Sequence, residues 1–504
     1  MTPSFPAALS AYHAGDHTRA HDLLREAGEA VLGDPVALQL LGILQADLGD
    51  ADAVYDHAAL SLDPGNVQAI FNLGVADQRK GALFHALLRY EQALRRDPHH
   101  LGALNNLSDL LRRQGRSEEA WECLQRYLRA GGDATGLEIR LAKVADDCGL
   151  SREASEWFAR AAARDDDRDG VRWEWAMQQL RDEEFADGWP HYELRRQRFG
   201  HEVLATVQYH SMPEWRGDAL NGRSLLIHKE QGLGDTIMFA SCLADLPGDR
   251  GQLHLAVPPV LVRLFASSFP DAAVWPSRST VDTDQEQHQA WRPQAGVIDA
   301  HLPIGSLPLH LRREGFPAPR PYLRPLPQDV ADWSARLARL IPGPRGLRVG
   351  LVLAARRGAA INPSVADGWP RSLPLHLASD LAVPGVQWFG LHERQYDDAF
   401  AQVPGLSIVP CGDWIHDMGD TAALIANLDV VVTVDTAVAH VAGAMGRKVI
   451  LMLRRLGDWR WGRERLDSYW YPDVEIVRQV REGRWEPVVQ QVARRLATLV
   501  AARD

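Results

Sequence analysis

Asp435, Thr436 and His440 are the residues through which this chain could most plainly do chemistry. They stand in Asp435-Thr436-Ala437-Val438-Ala439-His440, directly after Val430-Val431-Val432-Thr433-Val434. An unbroken run of β-branched residues reads as a strand buried on both faces, as in a parallel sheet, and the small residues after it lead into a helix. Ligands of open α/β sheets bind at that edge, where free helix N–H groups and the helix dipole attract anions such as a diphosphate. A second candidate is Leu225-Leu226-Ile227-His228-Lys229-Glu230-Gln231-Gly232-Leu233-Gly234-Asp235-Thr236, again a strand, a glycine turn and a helix start. Gly232 and Gly234 let backbone approach a ligand, and Asp235 falls where a helix cap would sit. The third glycine of the dinucleotide fingerprint is missing, which disfavours NAD. Asp235 therefore reads equally as a cap and as an acid–base group. Aimed across a cleft at a diphosphate, a carboxylate suits a general base better than a phosphate ligand, because like charges repel.

Positioning these residues requires two series of strands and helices. In the first, Leu225–His228, Leu253–Val257 and Ala273–Trp275 read as strands, with helices over Asp235–Leu246 and Val260–Ser268 and a polar loop over residues 278–295. A Pro-rich hinge spans Phe316–Pro327. The second series has strands at Arg348–Ala354, Val386–Leu391, Ser407–Cys411, Val430–Val434 and Lys448–Leu453, helices at Thr421–Leu428 and Val438–Met445, and a closing helix over Glu486–Ala502. Two parallel-sheet domains joined by a hinge place a ligand cleft at their junction.

The first third of the chain repeats. Asp63-Pro64 recurs as Asp97-Pro98 and Ala59 as Ala93, a spacing of 34; Ala20, Ala86, Ala120 and Ala154 share one repeat position, and Leu24, Tyr90, Leu124 and Phe158 another. The unit Leu73-Gly74, Ala86, Tyr90, Ala93, Pro98 follows the tetratricopeptide pattern of paired antiparallel helices. About five such units fit residues 1–170, clearest at 69–102. Stacked pairs form a superhelix whose concave face usually binds a peptide or protein, with an oligomerisation or spacer module as the plain alternative. Asn72, Asn105 and Asn106 fall on first helices and are candidate contacts to an extended acceptor backbone, although solvated helix positions explain each one alone. Trp173, Trp175, Phe185, Trp189 and Tyr192 make residues 171–220 too aromatic for a flexible linker.

Composition narrows the classes. At 504 residues two to four domains are expected. A net charge of −11 disfavours a nucleic-acid partner. The apolar runs are too short for a membrane span, and Met1–Leu9 has no basic residue ahead of its apolar stretch, so neither a span nor a secretory signal is expected. Cys123, Cys148, Cys242 and Cys411 lie too far apart for a zinc motif and show no disulfide framework, which fits a reducing cytoplasm.

Taken together these segments resemble the twin-Rossmann (GT-B) glycosyltransferases of the heptosyltransferase-like group. They are similar in particular to bacterial tetratricopeptide proteins that carry such a domain at the C-terminus, among them flagellin glycosyltransferases. The resemblance rests on the repeats, Glu230-Gln231-Gly232-Leu233-Gly234-Asp235, Arg371-Ser372-Leu373, Asp420-Thr421-Ala422, Asp435-Thr436-Ala437-Val438-Ala439-His440, Asp458-Trp459-Arg460-Trp461 and Ser468-Tyr469-Trp470-Tyr471-Pro472. It implies a multidomain chain: a tetratricopeptide superhelix over 1–170, a helical connector over 171–220, an acceptor-side Rossmann-like lobe over 221–325 and a nucleotide-sugar lobe over 326–504. It also implies inverting sugar transfer from a nucleotide sugar, without metal or cofactor, with Asp235 as base. Gly232, Gly234, Asp435, Thr436, Ala437 and Val438 would cradle the donor, His440 would donate to a phosphate or sugar hydroxyl, and Arg371 would offset leaving-group charge. A helix–sheet packing histidine and a solvated arginine are the plain alternatives for the last two. Arg454, Arg455, Arg460, Arg463 and Arg465 would line a phosphate pocket or decorate a surface, while Trp459, Trp461 and Trp470 would stack on a ligand or serve the core.

The chain departs from the family pattern at Leu353-Ala354-Ala355-Arg356-Arg357, where members carry Trp-Ala-Gly-Asn, and the stretch 358–368 lacks the usual Asn-Asp-Arg. Asp282-Thr283-Asp284 is similar to a metal-binding triplet of another glycosyltransferase fold, but sits in the polar loop. The leading expectation is a transferase acting on a Ser or Thr hydroxyl of a protein, flagellin being a natural acceptor. The departures motivate the alternative of a non-catalytic repeat scaffold; a sugar-nucleotide epimerase would leave the repeats without a purpose.

Overall fold

A computed structural model describes residues 4–27, 34–47, 54–164, 168–199, 212–277, 291, 294–343, 345–354, 371–391 and 403–503. The triplet Asp282-Thr283-Asp284, most of the polar loop expected over 278–295, Ala355–Arg357 and the stretch 358–368 lie outside them. The chain forms two compact units, Met1–Trp157 and Phe158–Asp504.

The first unit is built of helix pairs. Ser4–His13 pairs with His17–Glu26, Pro35–Asp47 with Val54–Leu62, Val67–Arg79 with Leu83–Arg96, and Leu101–Arg113 with Ser117–Arg129; Glu138–Asp147 and the start of Ser151–Arg164 follow. The repeat positions are its core: Ala20, Leu24, Ala86, Tyr90, Ala120 and Leu124 are buried. Gly74 shows why small residues recur, since a Cβ there would come within 2.7 Å of the Tyr90 ring. Asp56 is buried on Val54–Leu62, where it accepts from Asn72 Nδ2 at 3.0 Å.

The second unit opens with helices Arg168–Arg181, Phe185–Tyr192 and Arg195–Arg198 and continues into two sheets. Strands β1 (Leu225–His228), β2 (Leu253–Val257), β3 (Ala272–Pro276) and β4 (Ala300–Pro303) form the first sheet in the order β3-β2-β1-β4, with every pairing parallel. Strands β5 (Leu347–Val352), β6 (Val386–Gly390), β7 (Ile408–Pro410), β8 (Val430–Val434), β9 (Val449–Leu453) and β10 (Val474–Arg478) form the second in the order β10-β9-β8-β5-β6-β7, again all parallel. In each sheet the order reverses beside the first strand, between β1 and β4 and between β5 and β8. Ligands of doubly wound sheets bind at the carboxyl ends of strands at such a reversal.

Two strands escape sequence reading. Strand β4 is four residues long and holds His301 and Pro303, and β10, Val474-Glu475-Ile476-Val477-Arg478, carries two charged residues and no strict alternation, although the turn Pro472-Asp473 precedes it. The helix expected over Asp235–Leu246 is α-helical only through Leu233–Phe239 and continues as a 3₁₀ turn, Ala240–Asp245. The Pro-rich segment is pinned to both lobes: the Tyr322 and Leu323 amides donate to the Ala444 carbonyl, and the Tyr322 hydroxyl donates to the Ile237 carbonyl at 2.8 Å. A single apolar core joins the connector to both lobes. Trp189 stands edge-on to Trp459 and Phe239, and Trp470 edge-on to Phe239 and Phe316. The connector expected over 171–220 is thus built into the sheet unit. No described helix is long and apolar enough to cross a membrane.

Candidate functional site

The buried strand β8 delivers Asp435 to its carboxyl end, and Thr436 stands at the N-cap of helix Ala437–Ala444. The Thr436 side chain does not cap that helix. It lies 3.1 Å from the Thr433 hydroxyl, whose own proton goes to the Val434 carbonyl at 2.7 Å. Thr436 therefore donates to Thr433, and the Ala437 and Val438 amides open the helix at the sheet edge. Asp435 is nearly buried and accepts from Trp461 Nε1 at 3.1 Å and, more weakly, from Arg371 at 3.4 Å. The Arg371 side chain is 42% exposed, so it can turn toward an incoming anion.

His440 is buried on the same helix, stacked on the Trp461 ring at 5.1 Å between centroids, with Nε2 3.9 Å from Asp435. Its Nδ1 lies 2.7 Å from the Tyr471 hydroxyl. Tyr322, hydrogen-bonded to Tyr471, commits its own proton to the Ile237 carbonyl. Tyr471 then donates to Tyr322, and His440 Nδ1–H donates to Tyr471. Burial lowers the pKa of His440 and outweighs the opposing pull of Asp435, so the ring is neutral near pH 7 and its free Nε2 is an acceptor. A sugar hydroxyl suits that nitrogen better than a phosphate oxygen does.

The other lobe presents Glu230–Asp235. Glu230 is fully buried and accepts from Arg195 of the connector at 2.9 and 3.1 Å; Arg195 also donates to Ser306 at 2.8 Å. Gln231 adopts a left-handed conformation, φ 56°, and its amide donates to the Tyr192 hydroxyl at 2.8 Å. A non-glycine residue held there marks a turn whose shape its surroundings impose. Gly232 is exposed, and its N–H donates to Asp235 Oδ2 at 3.0 Å. Gly234 faces the second lobe, where a Cβ would lie 2.7 Å from the His440 ring. Asp235 both caps its helix and reaches across the lobes, its Oδ1 accepting from Arg460.

Arg460 is the residue that joins the two halves of this site. It bridges Asp235 and Asp458, the latter at 2.5 Å, and stacks over Trp459. Burial works against its charge, yet the two carboxylates hold its pKa well above the ordinary value. Burial would raise Asp458, but Arg460 draws it down. Three other arginines of the cluster serve structure: Arg454 pairs with Glu482 at 3.2 Å, Arg463 with Asp182 at 3.1 Å and Arg465 with Glu183 at 3.1 Å. Trp459 and Trp470 are core residues, as the packing alternative allowed. Asp420 and Asp417 hold Arg263 of the first lobe at 2.5 and 2.6 Å, a second tie between the lobes.

Asn72, Asn105 and Asn106 lie in the first unit, each with internal partners. Asn72 bonds Asp56 and Gln68, Asn105 accepts from Arg140, and Asn106 donates to the Tyr90 hydroxyl at 3.3 Å. Sequence reasoning read Tyr192 only as a connector aromatic and left out Arg195, Tyr322 and Arg263. Their partners lie far along the chain, and no local spacing points to them. Among the described residues no group of three or more His, Cys, Asp or Glu could hold a metal ion.

Residues 416–455 match the family model of glycosyltransferase family 9 (heptosyltransferase), a segment that contains Asp435, Thr436 and His440. The chain is 33% identical over 334 residues to Protein FlbA of Caulobacter vibrioides, an alignment covering 63% of this chain and 53% of that protein. It thus spans about half the length of that curated relative. Among solved structures it is similar to E. coli ADP-heptose lps heptosyltransferase II, with 14% identity, 56% of this chain and 99% of that one covered, and a TM-score of 0.39. It is also similar to a tetratricopeptide repeat protein from Parabacteroides merdae, with 17% identity, 39% and 83% covered, and a TM-score of 0.32. Helix pairs that follow the 34-residue repeat precede two parallel-sheet lobes, the second of which carries the segment that matches the glycosyltransferase family 9 model.

Proposed function

We propose that this chain is a cytoplasmic glycosyltransferase that moves a sugar from a nucleotide-sugar donor to a Ser or Thr hydroxyl of a protein held by the repeats, with inversion and without a metal. Flagellin is the natural acceptor on the resemblance to repeat-bearing transferases. The observation that carries the reading is Asp235 on one lobe, reaching through Arg460 toward the Asp435-Thr436 helix start on the other. That helix start lies inside the family-matched segment.

In the proposed step Asp235 takes the proton of the acceptor hydroxyl while its oxygen bonds to the anomeric carbon. The bond from that carbon to the diphosphate breaks, and its electron pair leaves on the phosphate oxygen. The Ala437 and Val438 amides and Arg371 would receive that charge. Gly232 and Gly234 would admit the acceptor and donor close to the backbone, and His440 Nε2 would accept from a sugar hydroxyl. Asp235→Ala should reduce transfer by about 100-fold or more without weakening donor binding. Turnover that survives unchanged removes Asp235 from the chemistry. The acceptor is tested by intact mass spectrometry of co-purifying proteins with and without this chain. A panel of nucleotide sugars that gives no saturable heat would favour the scaffold alternative.

A further inference from the structure

We infer that Arg460 is a binding residue for the donor diphosphate and passes from Asp235 to that diphosphate when the donor enters, an inference that rests on the proposed transfer reaction. One edge of its guanidinium is fixed on its own lobe: Asp458 Oδ1 accepts from the Arg460 amide at 3.2 Å and from its side chain at 2.5 Å. The other edge crosses to Asp235. The neighbouring Trp461 bonds Asp435 at 3.1 Å, which sets this turn against the helix start where an anion is attracted. The pairing with Asp235 has a chemical consequence. Each Asp235 oxygen already accepts one bond, Oδ1 from Arg460 and Oδ2 from the Gly232 N–H, so the guanidinium occupies an acceptor site of Oδ1 that an incoming hydroxyl could use. Release of Arg460 therefore adds to the acceptor capacity of Asp235. A diphosphate carries more charge than one carboxylate and matches the planar guanidinium fork, and is thus the component of the reaction able to draw Arg460 away. Asp458 keeps the side chain within reach while its partner changes. Asp235 thus gains an open acceptor site on Oδ1 once the leaving group is in place.

The test is a double-mutant cycle read by calorimetry on the full chain, with UDP, GDP, CDP and ADP as probes. Arg460→Gln should weaken the bound nucleotide by about 10-fold or more. Asp235→Asn should tighten it by about 5-fold, because Arg460 no longer has to leave a carboxylate. In the Arg460→Gln background the Asp235→Asn gain should fall below about 2-fold. A gain that persists there would mean that Asp235 merely repels the anion and would overturn the inference, as would unchanged affinity of Arg460→Gln. Should Arg460→Gln fail to melt cooperatively, Arg460→Lys replaces it in the cycle, with the gain from Asp235→Asn again expected to shrink. If none of the four nucleotides binds the wild-type chain, the transfer reading falls and this inference falls with it; binding with an additive cycle sinks the inference alone.

Discussion

Glu230 shows how a motif residue can be structural while Asp235 of the same turn reaches the other lobe. Its carboxylate is fully buried against Arg195, so the pair ties the glycine turn to the connector. Removing one partner from such a pair strands a charge in a low dielectric. Arg195→Met should therefore cost about 3–5 kcal/mol in denaturant unfolding of the sheet unit, and Arg195→Met with Glu230→Leu should recover a good part of that. Asp56 is a buried acid of the opposite kind, 2% exposed and without a cationic partner among its described bonds. Burial raises its pKa to about 6, which its bond to Asn72 only partly offsets. The folded state then holds a proton that the unfolded state releases near pH 4, so stability contributed below that pH is lost as pH rises toward 6. Asp56→Asn should flatten this decline and, above pH 7, stabilise the repeat unit by up to about 3 kcal/mol. A melting curve as pH-dependent as that of the parent chain would contradict this account.

At the scale of elements, the site depends on two short helices, Leu233–Phe239 and Ala437–Ala444, that meet where Gly234 faces His440. His440 has no room to yield, since Trp461 stacks on its ring and Tyr471 holds Nδ1. Gly234→Ala should separate these helices, cost about 1–3 kcal/mol and weaken nucleotide binding together with stability. Normal stability and binding would show that the two helices can part without loss. Legibility in the sequence divides here by length of contact. The run Val430–Val434 and the turn after it were readable because strand and helix patterns are local. Arg460 was visible as one arginine of five, but its partner lies in another lobe, and only folding separates it from Arg463 and Arg465, which pair with Asp182 and Glu183.

At the scale of the molecule, Met1–Trp157 and Phe158–Asp504 are separate compact units. Scanning calorimetry of the full chain should resolve two transitions, and a nucleoside diphosphate should raise only that of the sheet unit, by linkage of binding to folding. A shift in both would show that the units unfold together. The sequence by itself determined the repeat period, the two strand–helix series and the residues Asp235 and Asp435-Thr436, because periodicity, β-branching and turn chemistry act between near neighbours. Tertiary structure decided that the aromatic connector shares one core with both lobes, that Glu230 is buried on Arg195, and that Arg460 closes on Asp235 between the lobes. Those outcomes depend on charges and rings brought together from distant parts of the chain, Arg460 and Asp235 being 225 residues apart, which no local pattern encodes.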